Sequence, residues 1–97
     1  MAIRLKRMAL CKGRHDMPPE VQGAIFDCEV NPLDPNGLLR EVIQSKKLEN
    51  IDYLMLYVTG LTVALVAVMN ACKMLGVRIM LMHYNKDTGK YYPQEVL

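Results

Sequence analysis

Hydrophobic and polar positions change their spacing along the chain, and each change marks an element. Ile3 to Cys11 interleaves Ile3, Leu5, Met8, Ala9, Leu10 and Cys11 with Arg4, Lys6 and Arg7, the pattern of a strand entering from the surface. Lys12 to Pro19 combines a glycine, two successive prolines and four ionisable groups, which neither helix nor strand accepts, so a turn is expected there. Ala24-Ile25-Phe26 reads as a brief strand. Asp34-Pro35 announces a helix, because an aspartate caps free N–H groups and proline suits the first helical position. Leu38, Leu39, Val42 and Ile43 then recur at helical spacing against Arg40, Glu41, Gln44 and Lys47, predicting an amphipathic helix that ends near Leu48.

Ile51 to Val58 (IDYLMLYV) is an almost unbroken run of strand formers, as in a central strand buried on both sheet faces. Thr59-Gly60-Leu61-Thr62 turns into a second helix, about Thr62 to Leu75, with Gly76 as its stop. Val77 to His83 is the next strand. After turn residues from Tyr84 to Lys90, Tyr91 to Val96 returns as an antiparallel edge strand in which Pro93 is tolerated. Strand and helix alternate, so the expected fold is α/β: a minimal Rossmann-like three-layer sandwich on a mostly parallel sheet of about four or five strands, closed by an antiparallel C-terminal hairpin.

Length permits one domain, residues 1–97. Apolar residues make up 52% of it, more than so small a core readily hides, and the helix 62–75 is apolar around nearly its whole circumference. A homodimer packed through that helix is the economical expectation. The twenty residues Tyr53 to Cys72 carry no charge and have the length of a membrane span, but Thr59-Gly60-Leu61-Thr62 interrupts them and the flanking lysines give no orientation bias, so no membrane is expected. A formal charge of +2 argues against duplex nucleic acid. The three cysteines, Cys11, Cys28 and Cys72, form no C-x-x-C pair, and with no secretory leader they indicate a cytoplasmic setting.

In a parallel α/β sheet, ligands bind beyond the carboxyl ends of the strands. That edge receives Lys12, Gly13, Arg14 and His15 from the first strand, Thr59, Gly60 and Thr62 from the central one, and His83, Tyr84 and Lys86 from the next. A glycine-containing strand-to-helix turn brings backbone N–H groups to an anion, and the helix dipole favours phosphate there. Arg14 can clamp a phosphate in two hydrogen bonds, and His15 titrates near neutral pH, which suits general acid–base work on a phosphodiester. Each feature has a plainer explanation too: helix capping by the threonines, a solvated loop for Arg14 and His15, a hydrogen-bonded strand residue for His83. Tyr84, Tyr91 and Tyr92 offer rings for a base, or simply cover a sheet face. Cys11 reads as structural rather than nucleophilic. His15, Asp16 and His83 make a poor metal set, and neither a Walker A loop nor a G-x-G-x-x-G fingerprint is present, so neither a metal nor a cofactor is expected.

The strand IDYLMLYV, the turn Thr59-Gly60-Leu61-Thr62 and the apolar helix after it resemble the CRISPR-associated Rossmann-fold (CARF) sensor domains and the small stand-alone ring nucleases related to them. The resemblance covers about Ile51 to His83. It implies a dimeric Rossmann-like scaffold in antiviral defence, with a cyclic oligoadenylate messenger lying across the two-fold and Thr59, Gly60 and Thr62 at its phosphates. It also implies metal-independent cleavage of the ring where cleavage occurs. Val63 stands where these domains often carry a lysine or arginine, and Tyr57 where an Asp or Asn often precedes the turn, so the charge falls to Arg14 or Lys86. The competing expectation is a small non-catalytic interaction or assembly protein working through helix 62–75.

Overall fold

The computed structural model describes residues 2–13, 17–27 and 29–97. Its elements follow in the order β1 (Leu5–Cys11), β2 (Ala24–Phe26), α1 (Pro35–Ser45), β3 (Tyr53–Tyr57), α2 (Thr62–Leu75), β4 (Arg78–Asn85) and β5 (Lys90–Glu95). They build a five-stranded sheet in the order β2-β1-β3-β4-β5, parallel except for the antiparallel β4–β5 edge. This is the expected small Rossmann-like α/β fold, and β3 lies at its centre.

Each helix has a local reason to start and stop. The Asp34 carboxylate accepts from the Gly37 N–H at 3.1 Å and Pro35 opens α1. A Cβ at residue 37 would meet that carboxylate, so any other residue there would make the Asp34 side chain shift. α1 ends at Ser45, earlier than its periodicity predicts, since Lys46 takes a left-handed conformation (φ 61°) that no continuing helix allows. α2 runs the predicted length and stops at Gly76 with φ 70°.

The crossovers decide what covers the sheet. β2→β3 and β3→β4 step in the same direction, so right-handed connections place α1 and α2 on one face, where they pack together. Met8, Leu10, Leu54, Leu56, Ile79 and Leu81 face them and form the core with Leu38, Val42, Ala64, Ala67, Val68 and Ala71. β1→β2 steps the other way and crosses the opposite face, without a helix among its described residues. Its residue Met17 accepts a hydrogen bond at Sδ from the Tyr91 hydroxyl at 3.6 Å. The third layer is therefore a thin strip of chain. Tyr53 and Met55 remain half-buried on that side while Tyr57 is buried against Tyr91, so the apolar run of β3 is fully enclosed on the helix face and only at its carboxyl end on the other.

The short edge strand β2 is held by a lysine that the amphipathic pattern assigned to a solvated helix face. Lys47 Nζ donates to the Ala24 and Ile25 carbonyls at 2.7 and 3.0 Å and to Asp27 Oδ2 at 2.6 Å. Hydrogen bonding and attraction from Lys47 hold the Asp27 carboxyl below its usual range. A carboxyl depressed in the folded state contributes stability above its unfolded pKa of 3.8 and loses it as pH falls through the lower folded value. Lys47→Met should cost about 2 kcal/mol, the scale of losing charge-assisted bonds to buried carbonyls. It should also flatten the acid limb of stability below pH 4 in urea titrations monitored by circular dichroism. An unchanged midpoint would show that β2 holds without the clamp.

Candidate functional site

The strand order reverses between β1 and β3, since the chain leaves β1 toward β2 and leaves β3 toward β4. That switch point opens a crevice at the carboxyl edge of a parallel sheet, where ligands bind. Lys12 and Gly13 stand on one side of it and Thr59 to Thr62 on the other. Arg14, His15, Asp16 and Cys28 lie outside the described residues.

The turn after β3 has the geometry of an anion seat. Gly60 adopts φ 82°, the left-handed region that side chains avoid. The N-cap is Leu61, which offers no side-chain bond to the first turn of α2. The Thr62, Val63 and Ala64 N–H groups precede Leu65, whose N–H makes the first helical bond, to the Leu61 carbonyl at 3.0 Å. The threonines expected as caps do not fill that role: Thr62 is exposed and Thr59 lies before the cap. Thr59 is 1% exposed, and its Oγ1 is the buried side-chain polar atom without a hydrogen-bond partner among the described residues. Leaving a hydroxyl buried and unbonded costs about 1–3 kcal/mol.

Beside this turn, a crevice of about 280 Å³ is lined by Cys11, Lys12, Asp27, Glu29, Val30, Pro32 and Leu61. Lys12 is exposed there, and its backbone N–H is bonded to the Phe26 carbonyl at 2.9 Å. Asp27 is engaged by Lys47, and Lys12 adds a weaker attraction to the same carboxylate; Glu29 lines the crevice as well. The strand-end rule applied to β2 as well as β1 would have found Asp27 and Glu29.

The β4 candidates belong to a neighbouring cluster. His83 Nε2 is 2.7 Å from Gln94 Oε1 and its ring lies 5.4 Å from that of Tyr92, so the imidazole is spent across the β4–β5 pair. Tyr84 and Tyr91 lie on the opposite face, 5.2 Å apart, with Tyr91 edge-on to Tyr57 at 5.0 Å. Burial raises the Tyr57 and Tyr91 phenols above their usual pKa. Lys86 is exposed in the hairpin turn, and Tyr92 is exposed on the edge strand. No group of metal-ligating side chains occurs among the described residues. Burial pushes the Cys72 thiol up to about 12, which makes it inert. No helix among the described residues is long and apolar enough to cross a membrane, and the 53–72 segment is divided between β3 and α2.

The chain matches no protein-family model, no curated protein and no solved structure.

Proposed function

We propose that the chain binds a phosphate-bearing nucleotide at the β1/β3 switch point, with a phosphate on the uncapped N-terminus of α2. The observation that carries this reading is the buried, unpartnered Thr59 hydroxyl beside that helix start, a polar group left wanting a bond where backbone donors already favour an anion. Thr62 and Lys12 are exposed on either side and add a hydroxyl and a cation. The resemblance of the T-G-L-T turn to CARF and ring-nuclease elements makes a cyclic oligoadenylate the first ligand to try. In this reading the protein works in the cytoplasm. Turnover would fall to Arg14 as phosphate clamp and His15 as general acid or base, without metal.

A thermal-shift screen against cyclic and linear oligoadenylates and mononucleotides tests the proposal. A ligand at 100 times its dissociation constant should stabilise the chain by about 2.7 kcal/mol, and Lys12→Ala and Thr62→Ala should each diminish that gain. A screen in which no nucleotide moves the melting temperature overturns it. The interaction-protein reading draws on exposed Val66, Met74 and Leu75 of α2. It predicts no nucleotide response and loss of assembly in Val66→Glu.

A further inference from the structure

With both helices on one side of the sheet, its other face carries Leu5, Tyr53, Met55, Met80 and Met82 outside the core, with Arg7 beside Met55 and reaching toward the Tyr57 phenol, and it is covered only in part by the β1–β2 connection. We propose that a second copy of this chain covers this face, in a two-fold, sheet-on-sheet dimer. The size is sufficient: the molecule measures 40 × 35 × 23 Å, the thickness of one helix layer on one sheet, and about 800 Å² per partner makes a standard interface. Methionines adapt their shape to a facing surface, which suits a patch that must fit itself.

Charge selects a copy over an unrelated partner. Arg78 and Glu95 flank the methionines on this face, since Glu95 is paired with Met80 and Arg78 precedes Met80 by two. Both are exposed, and the ion pairs of the described residues, Arg4–Asp52 and Lys47–Asp27, use neither of them; the Arg78 guanidinium lies over the Tyr53 ring, 5.6 Å from its centroid. An isologous interface requires a patch that holds its own complement, and a two-fold axis across the strands between the levels of residues 78 and 80 brings Arg78 of one copy toward Glu95 of the other.

The sheet edges and α2 offer less continuous routes to self-association. Val96 N–H donates to the Ile79 carbonyl, so by alternation Tyr91, Pro93 and Glu95 present their backbone to the free edge of β5, and Pro93 has no donor at its middle. The other edge, β2, has its Ala24 and Ile25 carbonyls occupied by Lys47. α2 keeps Val66, Met74 and Leu75 exposed but separates them with exposed Asn70 and Lys73.

Sedimentation equilibrium of the intact chain from low micromolar to near-millimolar concentration tests this. Wild type is expected at about twice its 11.0 kDa mass, and Met80→Glu at the monomer mass with an unchanged circular dichroism spectrum. Arg78→Glu and Glu95→Arg should each raise the dissociation constant about 10-fold, and the double swap should restore it, which keeps the proposal testable should Met80→Glu fail to fold. A monomer at every concentration overturns it and leaves the face to a different partner. A dimer broken by Val66→Glu and not by Met80→Glu or the charge reversals also overturns it, in favour of α2. Nucleotide binding is read separately, so failure of either proposal leaves the other standing.

Discussion

Thr59→Val is expected to stabilise the ligand-free chain while weakening nucleotide binding. Valine keeps the shape of threonine and removes the hydroxyl, and here the hydroxyl is buried with no hydrogen-bond partner among the described residues. Removing an unsatisfied buried donor and acceptor recovers part of its desolvation cost, so a gain of about 1–2 kcal/mol is expected. For a chain of this size that is a rise in melting temperature of about 4–8 °C per kcal/mol. A threonine that only braced the turn would give the opposite sign. The binding experiment supplies the second half: the nucleotide-induced shift seen for wild type should shrink or vanish in Thr59→Val, although the starting protein is more stable. A melting temperature that falls by a comparable amount would mean that the hydroxyl already stabilises the fold, and the main argument for a ligand at this turn would be lost.

This pairing of local cost with expected function also separates what the sequence made legible from what it did not. Asp34-Pro35, Gly76 and the run YLMLY act through neighbouring residues, by capping, by a permitted φ and by strand propensity, and so the elements they delimit stand where their spacing predicts. The T-G-L-T turn was legible for the same reason. Two other features depend on the whole topology. Lys47 has the spacing of a solvated helix residue, and only the return of β2 beside the end of α1 gives its ammonium two carbonyls and a carboxylate. His83 arrives at the carboxyl edge as the strand-end rule requires, but the hairpin partner Gln94 takes its imidazole. Apolar content was legible only in part. The surplus was assigned to α2, where Ala64, Ala67, Val68, Ala71 and Cys72 are buried within the chain and Val66, Met74 and Leu75 stay exposed, and a further share, Tyr53, Met55, Met80 and Met82, lies half-buried on β3 and β4 facing away from the helices. Period-two alternation cannot reveal this when both faces of a strand are apolar.

Adjacent residues of β3 should therefore respond very differently to truncation. Leu56 is 0% exposed on the helix side of the central strand, in the same cluster as Leu81 and Val68. Leu56→Ala removes buried methyl groups and leaves a cavity that a central strand cannot close, at a cost of about 2–5 kcal/mol. Against a total of about 5–15 kcal/mol for a small domain, that is a large share, and partial unfolding at 37 °C is expected. Met55 lies on the opposite face, half-buried and outside the core. At concentrations where the chain is monomeric, Met55→Ala should cost less than about 1 kcal/mol, because little is enclosed around it. Urea unfolding of both variants at low concentration measures the ratio directly. Equal losses would mean that both faces of β3 are enclosed within one chain. Repeating the Met55→Ala titration at high concentration extends the test: where a second copy covers this face, the deficit relative to wild type grows with concentration, because the variant loses the stability that association adds. The Leu56→Ala deficit is set inside the chain and should stay nearly constant.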